Sequence, residues 1–226
     1  MSAAGCGGEF RRSGLEAAGF VLAGGQSTRM GRDKALVDFA GRPLVTHALS
    51  ILQQTGLSGS IAGAQSDLSR FAPVVKDSEP GRGPLAGVCA ALKSNAARYA
   101  VLLPVDLPFL PPSLLVCLLE RARITGSAVT VPSVGGYIQT FPAVLDRALL
   151  PALQSELDGG TGGCFAAFRA AAAGLGQSIS IVAVEFLVQP GQAMHSQGLP
   201  PVHWFLNVNA AEELERAEML WAQRIA

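Results

Sequence analysis

Short apolar runs alternate along this chain with longer stretches of helical spacing. Residues 20–23, Phe-Val-Leu-Ala, have the character of a buried strand and run straight into a glycine-rich segment. Residues 60–63, 73–76, 99–105 and 128–134 read as further strands. Parallel strands buried on both faces show as such continuous runs rather than as alternation. Between the strands, Leu44, Val45, Ala48, Leu49 and Leu52 recur at helical spacing. Arg42-Pro43 is expected to open that helix, because a proline in the first turn lacks only an N–H that has no partner there. Residues 85–94 predict the next helix, and Pro111-Pro112 begins another that runs to about residue 123. The repeated strand–helix unit predicts a three-layer, doubly wound α/β fold with a mostly parallel sheet.

The second half is less regular. Gly159-Gly160-Thr161-Gly162-Gly163 reads as a joint before a helix over 164–173, and residues 178–186 as a late strand. Residues 187–201 carry three prolines and two glycines and are expected to be a loop. Residues 210–225 predict a final amphipathic helix, with Asn209 a candidate N-cap and Glu212 and Glu213 in its first turn. No internal repeat is present. Residues 1–17 lack core periodicity and are expected to be a flexible tail, leaving residues 18–226 as one domain.

Composition narrows the function classes. A chain of 226 residues, 49% apolar, suits one sizeable domain with a full core. Lys plus Arg equals Asp plus Glu at 17 each, so there is no global basic field to hold nucleic acid. An anionic substrate would need a local site instead. Cys6, Cys89, Cys117 and Cys164 are scattered and form no C-x-x-C pair, which argues for plain thiols in a reducing cytoplasm. No apolar run approaches the roughly 20 residues that a membrane span needs, and residues 1–19 contain no apolar secretion core.

The segment after the first strand, from Leu22 to Lys34, reads L-A-G-G-Q-S-T-R-M-G-R-D-K. Gly24 and Gly25 let phosphate oxygens approach backbone N–H groups closely. Arg29 and Lys34 add two positive charges, one a planar fork and one a mobile point charge. Neither G-x-x-x-x-G-K-[ST] nor G-x-G-x-x-G is present. Two glycines alone would favour a solvated turn, but the full set of residue types after a strand points to a triphosphate loop.

Asp106 closes the run Leu102-Leu103-Pro104-Val105-Asp106-Leu107-Pro108 at the end of another strand. A lone Asp there has two readings, a turn former or a carboxylate that shares Mg²⁺ with phosphate oxygens and water. Near the C-terminus, Asn207 and Asn209 alternate in an extended stretch, which puts both amides on one face. Orienting an acceptor and simply making a turn and a helix cap are equally open for them. His47, His195 and His203 are not spaced as metal ligands.

The loop resembles the signature of the pyrophosphorylase-like nucleotidyltransferases, and within them that of the molybdenum cofactor guanylyltransferases, through Gly24-Gly25 and the Asp33-Lys34 pair. The resemblance extends over about residues 20–220. It implies a Rossmann-like nucleotidyltransferase fold, with Leu22, Ala23, Gly24, Gly25, Lys34, Asp77 and Asp106 on the nucleotide. Arg29, Lys34 and Asp106 would be catalytic, and Asp106 the Mg²⁺ ligand. Gly-Pro-Leu-Ala-Gly over 83–87 looks like the family's second motif. Gln139, Asn207 and Asn209 are implied on the acceptor side. The activity implied is transfer of GMP from GTP to the molybdenum–molybdopterin cofactor with release of pyrophosphate. Cofactor-synthesis proteins and recipient molybdoenzymes are the implied protein partners. The chain departs from the family in two places: Ala62-Gly63-Ala64 stands where a polar residue is common, and Gly162-Gly163-Cys164-Phe165 replaces basic residues, with Arg169 the nearest cation. Cytidylyl transfer, a sugar-phosphate acceptor and a non-catalytic nucleotide or cofactor carrier are the alternatives.

Overall fold

In the computed structural model, which describes residues 16–24, 33–64, 67–76 and 81–225, the apolar runs become neighbours in one sheet. The first half consists of β1 (Ala17–Leu22), β2 (Asp38–Phe39), β3 (Arg42–Pro43), α1 (Leu44–Gln54), β4 (Gly59–Ala62), β5 (Val74–Val75), α2 (Pro84–Lys93) and β6 (Tyr99–Pro104). The second half adds α3 (Pro112–Thr125), β7 (Val129–Val134), β8 (Tyr137–Ile138), β9 (Ala143–Asp146), α4 (Leu150–Asp158) and α5 (Cys164–Gly174). It closes with β10 (Ile179–Ala183), α6 (Val184–Val188), α7 (Pro201–Trp204) and α8 (Ala211–Ile225).

The main sheet runs β10-β7-β9-β6-β1-β4-β5, with β8 paired to β7. It is mostly parallel, and β9 is the antiparallel strand between β6 and β7. Strand alternation divides the core into two layers. Val21, Val101 and Leu103 face the layer of α1, α3 and α8, and Phe20, Leu22 and Leu102 face α2, α4 and α5. Helices therefore cover both faces, as the doubly wound reading requires. The chain runs from β1 outward to β4 and β5, then crosses to the other side of β1 for β6. This reversal is the switch point where such sheets open a crevice at the carboxyl ends of their strands.

The local expectations need four corrections. Arg42-Pro43 forms the return strand of a short hairpin, so Pro43 is not in the first turn of α1 but is the N-cap residue just before Leu44. Ala40 and Gly41, at φ 51° and 77°, make the two-residue turn, which requires left-handed backbone at both positions. The expected strand over 178–186 ends at Ala183, and the residues Val184–Val188 that follow coil into α6. The expected loop over 187–201 therefore starts inside α6, and its last residue begins α7. The structured chain also reaches back beyond residue 18. Ala17 is in β1, and Glu16 accepts from the Tyr99 N–H at 2.9 Å and pairs with Arg123 at 3.1 Å. The rest of the expected tail, residues 1–15, lies outside the described residues.

An aromatic cluster joins distant parts of the chain on the α1 side. Phe39 meets His47, Phe109 and Trp221 edge-on, with ring centroids 5.2, 5.5 and 5.6 Å away. His47 is buried and donates its Nε2–H to the Phe39 carbonyl at 2.8 Å. Burial holds its pKa below the ordinary histidine value, so it packs as a neutral ring.

Candidate active site

The crevice at the switch point contains a cleft of about 380 Å³. Its floor is the carboxyl ends of β1 and β6, and the backbone ties these ends together. The Val105 N–H donates to Leu22 O at 3.1 Å, and the Ala23 N–H to Ala62 O at 2.9 Å. Leu22, Gly24, Lys34, Asp106, Gln139 and Asn207 line it. Pro84, at the start of α2, and the rings of Phe141 and Phe205 complete the walls.

Gly24 has no room for a side chain. A Cβ there would lie 2.8 Å from the backbone oxygen of Gly63. Gly63 itself has φ +72°, and a Cβ on Gly87 would stand 3.4 Å from the Gly63 Cα. Three backbone segments thus cross in contact: the start of the glycine-rich loop, the end of β4 and the first turns of α2. This crossing gives a physical reason for Gly63 in the Ala62-Gly63-Ala64 departure. Gly24→Ala is expected to force the crossing apart at a cost of about 1–3 kcal/mol. Thermal melting should register about 2–4 °C per kcal/mol for a chain of this size. An unchanged melting temperature would show that the crossing relaxes freely.

Lys34 is aimed by its own turn. Asp33 accepts from the Ala35 N–H at 2.9 Å and caps a single 3₁₀ turn over Lys34–Leu36, with Ala35 fully buried beneath it. The Asp33-Lys34 pair of the sequence is therefore a cap followed by the residue that the cap orients. Lys34 is not in a solvated loop: its side chain is 18% exposed and its ammonium donates to Asp106 Oδ2 at 2.5 Å. It donates also to the side-chain oxygen of Asn209. Asp106 is used as more than a turn residue, since its carboxylate meets a cation 72 positions away in the chain.

The C-terminal segment is pinned to the same place. The Val208 N–H donates to the Asp106 carbonyl at 3.1 Å, and the Val208 side chain is fully buried. Alternation about Val208 then sends Asn207 and Asn209 to the cleft side. Asn209 does not spend its side-chain oxygen as an N-cap. Glu213 meets the start of α8 instead, its Oε2 accepting from the Asn209 N–H at 2.6 Å and the Ala210 N–H at 3.2 Å.

Of the residues predicted from sequence, Leu22, Gly24, Lys34, Asp106, Gln139 and Asn207 line the cleft, and Asn209 reaches it through Lys34. Ala23 is buried beside them. Gly25, Arg29 and Asp77 lie outside the described residues. Sequence reasoning missed Phe141 and Phe205, which have no local signal: Phe141 stands between Thr140 and Pro142, and Phe205 between Trp204 and Leu206. Arg169 is not on the cleft but on an exposed groove along α5. Burial pushes the Cys164 thiol up to about 11, which leaves it neutral at the position of the missing basic residues.

No three His, Cys, Asp or Glu side chains converge as a metal cage among the described residues. Among the described residues the donor set is one part-buried carboxylate, Asp106, on an open cleft. That suits Mg²⁺, which commonly takes one or two carboxylates and fills its shell with substrate phosphates and water. It does not suit a structural zinc site.

Comparison with known proteins decides the family. The model of the MobA-like NTP transferase domain matches residues 19–174. The chain belongs to the MobA-like NTP transferase family. A molybdenum cofactor guanylyltransferase from Cereibacter sphaeroides is 35% identical over 211 residues, covering 89% of this chain and 95% of the relative. A probable molybdenum cofactor guanylyltransferase from Pelotomaculum thermopropionicum is 32% identical over 145 residues, 63% of this chain and 70% of its own length. Among solved structures, molybdopterin-guanine dinucleotide biosynthesis protein A from Archaeoglobus fulgidus superposes with a TM-score of 0.72 at 21% identity, covering 91% and 99% of the two chains. The 2-C-methyl-D-erythritol 4-phosphate cytidylyltransferase of Thermus thermophilus superposes at 0.63 with 18% identity, covering 91% and 98%. At these identities the two structures establish the fold. In this MobA-like NTP transferase the family match stops at residue 174, before the segment that brings Asn207 and Asn209 to the cleft.

Proposed function

We propose that this protein transfers GMP from GTP to the terminal phosphate of the molybdenum–molybdopterin cofactor and releases pyrophosphate. The observation that carries this reading is the meeting of Lys34 and Asp106 at the switch-point cleft. A cation for triphosphate oxygens and a carboxylate for a divalent metal stand side by side, on the two motifs that are the strongest in the sequence. The 35% identical relative over most of both chains supports the guanylyl branch.

No side-chain nucleophile is needed. A phosphate oxygen of the acceptor attacks the α-phosphorus of GTP, the bond from that phosphorus to the α–β bridging oxygen breaks, and pyrophosphate leaves. Leu22, Ala23, Gly24 and Gly25 offer the close backbone approach, with Asp77 on the nucleoside. Arg29 and Lys34 neutralise charge on the departing pyrophosphate. Gln139 and Asn207, which line the same cleft, orient the acceptor. The rings of Phe141 and Phe205 exclude water there. Asp106 would hold Mg²⁺, which when bound supplies charge neutralisation of the phosphate oxygens. Catalysis is then positioning plus electrostatics. The setting we propose is the cytoplasm, with cofactor-synthesis proteins and recipient molybdoenzymes as protein partners. Nucleic acid and membrane have no part in it. Among the described residues no helix is long and apolar enough to cross a membrane.

The test is a turnover assay with the purified protein, the acceptor, Mg²⁺ and each of the four nucleoside triphosphates. GTP is expected to exceed CTP and ATP in pyrophosphate release. Equal turnover of CTP and GTP would move the protein to a different branch of the family. Nucleotide binding without pyrophosphate release would leave a carrier.

A further inference from the structure

We infer that the two C-terminal amides divide their labour: Asn209 positions Lys34 for the nucleotide, and Asn207 alone is left for the acceptor. This rests on the guanylyl-transfer reading and departs from the assignment of both residues to the acceptor side. The side-chain oxygen of Asn209 accepts from the Lys34 ammonium across 175 positions of chain. Asp106 takes a second donor of the same ammonium. An ammonium has three N–H donors, so the third remains for a phosphate oxygen. Two fixed acceptors turn a flexible side chain into a directed one, at a point where Lys otherwise serves as a mobile charge.

Asn209 is itself fixed from both sides. Upstream, buried Val208 hangs its N–H on the Asp106 carbonyl. Downstream, Glu213 takes the N–H groups of Asn209 and Ala210. Farther out, each of the three interacting residues leads into the same aromatic cluster. Lys34 precedes Phe39, Asp106 precedes Phe109, and Asn209 precedes Trp221, and these three rings are in mutual contact at 5.5–6.2 Å. The C-terminal helix is thereby coupled to the phosphate-binding lysine. Asn207, by contrast, is exposed on the cleft wall.

The experiment compares Asn209→Ala, the isosteric Asn209→Asp, Asn207→Ala, Lys34→Ala and the Lys34→Ala/Asn209→Ala double variant, each checked by thermal melting. GTP binding with Mg²⁺ is titrated without acceptor, and kcat and acceptor KM are then measured. Asn209→Ala is expected to weaken GTP binding or lower kcat about 10–100-fold, the weight of one hydrogen bond to a charged group. Its acceptor KM should stay within about twofold, the scatter of independent sites. Asn209→Asp keeps the shape but adds negative charge where phosphate must approach, so it should be at least as poor as Asn209→Ala. Asn207→Ala should raise acceptor KM and leave GTP binding unchanged. In the Lys34→Ala background Asn209→Ala should have no further effect, because the ammonium that it positions is gone. Multiplying effects in the double variant, or a raised acceptor KM with intact GTP binding in either Asn209 variant, would overturn the assignment. Failure of the unsubstituted protein to bind GTP would overturn the guanylyl reading and this assignment with it.

Discussion

Lys34→Ala is expected to cut pyrophosphate release by about 10²–10³-fold, the usual weight of one preorganised charge contact in a transition state. The loss should fall mainly on kcat, because charge on the departing pyrophosphate grows as the α-phosphorus bond breaks. The fold should survive, though not untouched. The side chains of Lys34 and Asp106 are 18% and 15% exposed, so their pair lies between the surface and buried limits. Surface pairs contribute about 0–1 kcal/mol and breaking a buried pair costs about 3–5 kcal/mol. A cost of about 1–2 kcal/mol, or about 2–8 °C in melting temperature, is expected from that position between them. A folded Lys34→Ala protein with normal pyrophosphate release would remove Lys34 from the mechanism.

The legible parts of this molecule are those where one local pattern carries the information. The strands β1, β4, β6 and β7 lie within a few residues of their apolar runs, because burial on both faces demands unbroken apolar sequence. The helices α2, α3, α5 and α8 open where a Pro or Gly punctuates the chain or where acidic residues crowd a first turn. What stayed hidden has no such marker. The antiparallel strand β9 spans only four residues, too few to show a period. In the site, Lys34 and Asp106 were legible because a charged residue at the end of an apolar strand or a glycine-rich loop stands out. The bond from Lys34 to Asn209 was not, since it spans 175 positions and nothing local encodes it. Phe141 and Phe205 carry no local mark of a site, and the tertiary fold brings them to the cleft.

Asp106→Asn is expected to abolish most Mg²⁺-dependent turnover, again by about 10²–10³-fold, while melting within about 1–3 °C of the unsubstituted protein. Two features of the structure separate these effects. The bond that fastens the C-terminal segment runs to the Asp106 backbone carbonyl, from the Val208 N–H at 3.1 Å, and the substitution leaves it in place. The side-chain oxygen that Lys34 meets at 2.5 Å is replaced by an amide oxygen of the same shape, which still accepts from the ammonium. What disappears is the negative charge. A hard divalent cation held through the Asp106 carboxylate depends on that charge. Titrating Mg²⁺ against the activity of both proteins reads the difference, with the variant expected to need far more metal or to show no saturable response. The structure has already moved Asp106 away from the turn-former reading, because its carboxylate pairs directly with Lys34 at the cleft. It does not follow that the carboxylate binds metal, since a partner that only held Lys34 in place would look the same. Asn would serve such a partner nearly as well as Asp. Near-normal turnover of Asp106→Asn at the same Mg²⁺ concentration would therefore leave Asp106 as a support for Lys34 and take the metal site out of the mechanism.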